Sequence, residues 1–286
     1  MLHRSTIQLL RFHFSLFLLP VYLFAISLLP QVNWTHALLA FVILHLLVYP
    51  SSNGYNSYMD RDETPIGGLQ NPMQPTRQLF TVSVVMDAIA VALSFLISPL
   101  FALGILFYIL ASRAYSYRGI RLKQYPLLGF LTVFVFQGAA VFFVTSHGCS
   151  LPPTTAVPLL PCVIASLLIG ASYPLTQIYQ HRQDKEDGVI TISYLLGKRG
   201  TFIFSLLLFL GATFCMYRLF TGRGQLDYFL LFVACMFPVV LFFTYWMYKV
   251  WQNDAAADFG HSLRMNLVST LCMIIYFSTL LILQHF

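Results

Sequence analysis

The strongest constraint in this chain is how far it runs without charge. From Gln124 to His181 there is no Lys, Arg, Asp or Glu, and other long stretches are nearly as bare. A water-soluble domain needs a polar surface, and a chain that is 58% hydrophobic and 9% charged cannot supply one. Such a chain must be solvated by lipid, as a polytopic membrane protein. In lipid the backbone has to satisfy its own hydrogen bonds, so runs of this length read as helices and the fold class is all-α.

Charge-poor segments mark nine spans, at residues 12–29, 37–50, 80–97, 101–111, 126–144, 157–178, 202–220, 228–250 and 267–283. Several are shorter than the ~20 residues a bilayer asks for, so flanking turns must extend them. Ser98-Pro99 divides the third from the fourth as a tight hairpin; one broken helix would reverse the sidedness of everything after it. With nine spans, fourteen of the 16 Lys and Arg fall on one side, leaving only Arg218 and Arg223 on the other. That bias places the richer side, and the N-terminus, in the cytoplasm. The expected location is an integral position in a bacterial inner membrane, with the first apolar stretch retained as a span. Trp34 on one side, and Trp246 with Trp251 on the other, suit interfacial anchoring. No basic stripe with interleaved aromatics accompanies the positive charge, so nucleic acid is not an expected partner. The five cysteines, four in apolar segments and Cys149 in a loop, form neither a disulfide framework nor a zinc spacing and read as packing residues.

Against this background the carboxylates stand out. Ten occur in 286 residues, and Asp60, Asp62 and Glu63 lie within four positions of each other. If the second helix continues through Asn56 to Asp60, the i,i+4 spacing puts an amide oxygen and a carboxylate on one face. Gln180 and Asp184 repeat that spacing after the sixth span, with Asp187 close behind. Two clusters four helices apart read as an internal duplication: two four-helix units plus one helix, in a single domain over residues 1–286. Facing acidic clusters repel unless a cation lies between them, and Mg2+ suits this sparse oxygen set, because it takes one or two carboxylates with water and phosphate oxygens. The candidate ligands are Asn56, Asp60, Asp62, Gln180, Asp184 and Asp187.

Between the clusters lies a loop from Ser112 to Pro126 with Arg113, Arg118, Arg121 and Lys123 and no acid. As positive-inside charge it needs no further role. As a cationic cradle on the same side as the acids it suits a diphosphate, with Arg118, Arg121, Lys123 and Lys185 as the binding candidates. Lys198 and Arg199 are weaker ones.

The stretches NSYMD, the YS before RLK, and QIYQHRQDKEDGVITISYLLGKRG together resemble the UbiA-type intramembrane prenyltransferase superfamily. The resemblance covers nearly the whole chain. It implies nine helices and two cytoplasmic Asp-rich motifs that hold Mg2+ and a prenyl diphosphate. The first family motif, Asn-x-x-x-Asp-x-x-x-Asp, matches Asn56 and Asp60 but ends on Thr64, with Asp62 and Glu63 as possible substitutes. The second matches Asp184, Gly188 and Thr191 but begins on Gln180. Tyr115 and Lys123 match the family's middle-loop Tyr and diphosphate-binding Lys, which makes Asp60, Asp184 and Tyr115 the catalytic candidates. The implied chemistry is ionisation of an allylic diphosphate and capture of the prenyl cation by an electron-rich acceptor; the first reading is an aromatic or other lipid-soluble acceptor, as in quinone-type biosynthesis. Tyr55, Tyr58, Tyr115 and Tyr179 lie near the motifs and offer aromatic faces to that cation.

Other readings remain. With no acceptor the same site makes a membrane terpene cyclase. A transporter expects charge along a path through the membrane, and Asp87 is the only candidate well inside a span; it can equally be an acceptor contact or a structural hub. A scaffold with a degenerate site is the remaining alternative. His13 and His45 read as hydrogen-bonded interior or interfacial histidines. Gly138, Gly170, Ala171 and Ser172 admit close helix packing or a ligand. Acceptor identity, prenyl length and oligomeric state are not written in the sequence.

Overall fold

A computed structural model describes residues 2–286. Among these, nine helices are long and apolar enough to cross a membrane: α1 (Arg4–Ser27), α2 (Trp34–Asp60), α3 (Arg77–Ser94), α4 (Pro99–Ser116), α5 (Pro126–Cys149), α6 (Leu159–Thr176), α7 (Ile192–Thr221), α8 (Leu226–Gln252) and α9 (Phe259–His285). The described residues form no strand, only isolated bridges joining Val32 to Ser150 and Ile66 to Leu69. Successive helices pack as neighbours, and α9 closes the ring against α1, where the rings of Phe24 and Phe277 stack 4.7 Å apart.

Both acidic clusters lie at one end of this bundle, called here the acidic end. Most helices there outrun their apolar stretch. The second reaches Asp60 rather than residue 50, because Asn56, Asp60 and their polar neighbours face the bundle interior while the helix ladder continues. It stops at Arg61, which turns left-handed (φ 56) and returns its N–H to the Ser57 carbonyl at 3.0 Å, the usual αL termination. The seventh begins at Ile192, ten residues before its apolar run, with the Thr191 hydroxyl as N-cap. Gly197, at φ 67, breaks it before the spanning portion. α1 is interrupted as well: Arg11 is left-handed (φ 47), and Phe12–Leu18 winds more tightly.

Several expectations need correction. Trp246 is no interfacial anchor: it is 0% exposed and donates its indole N–H to the Ala256 carbonyl at 2.8 Å, because α9 and the turn before it cover that face of α8. Cys149 is not in a loop but is the buried last residue of α5. His45 is buried, packed among the rings of Tyr22, Phe41 and Tyr49. His13 is bonded, to the Gly68 carbonyl at 3.1 Å. Gly138 serves close packing, since a Cβ there would lie 2.4 Å from the Ser166 Cα of α6.

Asp87 is a structural hub. Its carboxylate pairs with Arg113 and accepts from Ser51 Oγ, and the Arg113 guanidinium lies 4.0 Å over the Tyr55 ring. Three helices, α2, α3 and α4, are tied through these contacts. Arg113 is thereby committed to Asp87 rather than to the acidic end.

Candidate active site

The helix geometry that carries α2 past its apolar run decides where the first cluster points. Asn56 and Asp60 share a face: the Asn56 amide donates to Asp60 Oδ2 at 2.8 Å and to Ser116 Oγ at 3.1 Å. The second cluster is held by a short helix, His181–Glu186, that follows α6. It ends in a double turn, with Val189 N–H on the Asp184 carbonyl at 2.7 Å and Gly188 N–H on Lys185 at 3.1 Å. Gly188 takes the φ of +70 that this termination demands, where a Cβ would be strained. His181 Nε2 meets Ser193 Oγ at 2.8 Å, and Ser193 meets Thr201 Oγ1 at 3.0 Å, which pins the segment to α7.

The two halves meet. Gln183 Nε2 donates to Asp62 Oδ1 at 2.9 Å, Gln180 Nε2 donates to the Pro65 carbonyl at 3.2 Å, and Thr64 bonds Gln183. The middle loop closes over them: Lys123 Nζ lies 2.5 Å from Asp60 Oδ2, and Arg121 Nη2 lies 3.8 Å from Asp60 Oδ1 and 3.6 Å from Asp187 Oδ2.

Below this roof is a cavity of about 270 Å³. Asn56, Asp60, Asp62, Gln180, Asp184, Lys123 and Arg11 line its polar end, and its deeper wall is apolar, with Phe24, Phe136, Leu168, Met273 and Phe277. Tyr115 lines it too, its hydroxyl 2.5 Å from that of Tyr173, which also accepts from Gln177 Nε2 at 2.8 Å. Burial raises the Asp184 carboxyl to about 7 and the Asp62 carboxyl to about 6, with neighbouring acids adding to it and Lys123 opposing it.

Not every candidate comes to the cavity. Arg118 caps α2 by donating to the Met59 carbonyl at 2.8 Å, Lys185 and Glu63 are exposed, and none of the three lines the cavity. Asp187 is at the rim, held by Arg121 through both its side chain and its carbonyl. Lys198 and Arg199 bond the Asp254 and Trp251 carbonyls. Of the four tyrosines named from the sequence only Tyr115 faces the space, since Tyr55 packs beneath Arg113, Tyr58 against Phe80 and Tyr179 against Phe259. Missed were Arg11, which donates to the Gly67 and Asn53 carbonyls at 3.1 and 3.2 Å, and Tyr49, Tyr108, Tyr173 and Gln177. Arg11 stands just before the first apolar run and reads from sequence as topology alone; its inward turn depends on a left-handed φ that no residue type announces.

Buried polar atoms are left without hydrogen-bond partners at this end: Asp60 Oδ1, Asp184 Oδ2 and Gln177 Oε1 among acceptors, Arg11 Nε and Arg121 Nε among donors. Such atoms are costly unless something binds them. Among the described residues, no three His, Cys, Asp or Glu converge closely enough to cage an ion unaided. Mg2+ does not require that, because it keeps waters and shares phosphate oxygens. The donor set, all hard oxygen with cations alongside, fits a Mg2+ ion accompanied by an anion.

The sequence pattern of the UbiA prenyltransferase family matches residues 16–269. The chain belongs to the UbiA prenyltransferase family. Solved UbiA structures share its fold. The apo UbiA homologue of Aeropyrum pernix K1 aligns with a TM-score of 0.72 at 17% identity, over 96% of this chain and 99% of that one. A UbiA homologue of Archaeoglobus fulgidus, solved with GPP and Mg2+, aligns at 0.69 and 17% identity, over 97% and 99%. A digeranylgeranylglyceryl phosphate synthase aligns at 0.60 and 15%, over 98% and 97%. No curated protein matches the chain.

Proposed function

We propose that this UbiA family member is a Mg2+-dependent intramembrane prenyltransferase, moving a prenyl group from an allylic prenyl diphosphate to a lipophilic aromatic acceptor of the quinone type. One observation carries the reading: a single cavity has buried carboxylates and cations at one end and an apolar body behind them. That division matches a prenyl diphosphate, charged at its head and hydrocarbon beyond it. The Archaeoglobus fulgidus homologue holding GPP and Mg2+ supports it.

Asn56, Asp60, Asp62, Gln180 and Asp184 are the residues that would hold Mg2+, with Asp187 at the rim. Bound there, the ion would neutralise diphosphate oxygens and make the diphosphate a better leaving group. Lys123, freed from Asp60, donates to the diphosphate, and Arg11 and Arg121 bring unpaired N–H groups to the same end. The allylic C–O bond breaks with its electron pair leaving on the diphosphate. The acceptor then forms the new bond to the prenyl carbon and loses a proton to the departed diphosphate. Tyr115 and Tyr173 set phenol oxygens and ring faces beside the reacting carbon, where they steady positive charge, and the apolar wall keeps water from capturing it. The charge bias supports an orientation with this end and the N-terminus in the cytoplasm, and a bacterial inner membrane is the location proposed with it.

The test is purified protein with labelled geranyl diphosphate, Mg2+ and a membrane lipid extract as acceptor source. A labelled lipophilic product that requires both metal and extract is expected. Diphosphate release without extract would replace transfer by cyclisation or hydrolysis, and no turnover of any prenyl diphosphate would refute the reading.

A further inference from the structure

A second cavity, of about 110 Å³, lies between α6, α7, α8 and α9. It shares a wall with the first: Leu168, Ser172, Asn266, Ser269 and Met273 line both. Apart from Ser205 and Thr244 the rest of its lining is apolar, and it contains no charged residue. Its volume is of the order of the roughly 150 Å³ apolar cavities that take up benzene.

Two polar groups in it lack partners. Ser205 Oγ is buried with no hydrogen bond, in a residue 1% exposed. Asn266 is half-buried, and among the described residues its side-chain amide makes no hydrogen bond; its backbone carbonyl accepts an extra bond from Ser269 Oγ at 3.1 Å. An amide inside a membrane helix is costly and ordinarily pairs with something. Asn266 stands one turn deeper along α9 than Ser262, whose hydroxyl bonds the Leu175 carbonyl of α6 at 2.9 Å. That contact holds the mouths of α6 and α9 together and leaves the Asn266 amide at the passage between the two cavities.

The second cavity also reaches the lipid face. Val240 is 45% exposed and Thr244 is exposed, yet both line it. Pro238, just before them on α8, has no N–H to close the helical bond to the Ala234 carbonyl, which loosens the helix at that point.

Building on the prenyltransferase reading, the geometry points to the second cavity as the acceptor site. An uncharged, largely apolar acceptor reaches it from the bilayer between α7 and α8, and Asn266 hydrogen-bonds the hydroxyl or carbonyl that orients it toward the prenyl carbon in the first cavity. An ionised acceptor does not fit, because no counter-charge lines the space. The prenyl chain has its own apolar wall at Phe24, Phe136 and Phe277 and leaves this cavity free.

The probe is 4-benzoylphenol, a photoreactive phenol, applied to the full chain in detergent and mapped by mass spectrometry. Label is expected on Met236, Met247 or Met265, which line only the second cavity, and membrane lipid extract should compete it away. Val240→Trp, placed at the exposed mouth, should reduce this label at least tenfold while Mg2+-dependent geranyl diphosphate binding stays intact. Asn266→Leu should raise the amount of extract needed for half-maximal transfer at least tenfold, with partial recovery in Asn266→Gln. Label spread over lipid-facing residues such as Phe237 and Leu241, or indifferent to Val240→Trp, would overturn the proposal. So would transfer unaltered by Asn266→Leu. Failure of the wild type to bind geranyl diphosphate would instead strike the prenyltransferase reading, since photolabelling does not depend on it.

Discussion

Asp60 and Lys123, 63 residues apart in sequence, meet at 2.5 Å where the middle loop closes over the end of α2. The contact joins a carboxylate proposed to hold metal with a cation proposed to hold diphosphate, so each keeps the other in place until substrate divides them.

Lys123→Ala should therefore act in two ways. A charge-assisted hydrogen bond of about 1.5–3 kcal/mol is lost to the diphosphate, which corresponds to a roughly ten- to hundredfold weaker Kd for geranyl diphosphate. Asp60 is also left less compensated, so the metal-free protein should melt earlier. Isothermal titration and thermal unfolding read the two effects separately, and an unchanged Kd would return the loop to mere topology.

The raised carboxyls of Asp62 and Asp184, at about 6 and about 7 from an ordinary 3.8, give a signed pH dependence. Between these values the folded metal-free protein holds protons that the unfolded chain has released, so stability falls as pH rises from about 4 to about 7 and then levels off. Mg2+ competes with those protons, so the stabilisation it brings should be larger at about pH 8 than at about pH 6. Melting curves with and without Mg2+ check this, and replacing both residues with Asn should flatten the difference. Equal stabilisation at both pH values would contradict it.

For the Asp87–Arg113 pair the structure predicts stability without chemistry. Removing one partner of a buried pair costs about 3–5 kcal/mol; with 13% and 16% exposure the low end is expected for Asp87→Ala or Arg113→Ala. The double variant should recover part of the loss. Because neither residue lines the cavity, folded variant protein should still bind geranyl diphosphate with Mg2+, and loss of binding in well-folded protein would give Asp87 a functional part.

Gln180→Asp removes the donor to the Pro65 carbonyl and adds a carboxylate near Asp184 and Asp62. Without metal the variant should be less stable than wild type; with Mg2+ the gap should close or reverse. A loss of binding that Mg2+ cannot repair would mean that the Gln180 amide itself contacts substrate.

The number of spans and the shared end of the two clusters were legible because they follow from charge counting and from i,i+4 spacing along a helix, both local properties of the chain. The ends of the helices were less so. Apolarity reports where lipid stops; the i,i+4 spacing of Asn56 and Asp60 pointed to the continuation of α2, but no such pairing announced the start of α7 at Ile192. Cations were harder still. Arg118, Arg121 and Lys123 lie in one short loop, yet one caps a helix, one bridges Asp60 and Asp187, and one meets Asp60, distinctions set by a turn that composition does not encode. The inward Arg11 and the Tyr115–Tyr173 pair are tertiary facts of the same kind.

In the proposed mechanism both clusters serve one Mg2+-dependent prenyl diphosphate site. The most direct test measures binding of labelled geranyl diphosphate to wild type, Asp60→Ala, Asp184→Ala and the double variant, with and without Mg2+, each variant first shown to be folded. Mg2+-dependent binding is expected in wild type, with loss in either single variant and no further loss in the double. Full Mg2+-dependent binding in either single variant would contradict it, because one half of the proposed site would then be dispensable.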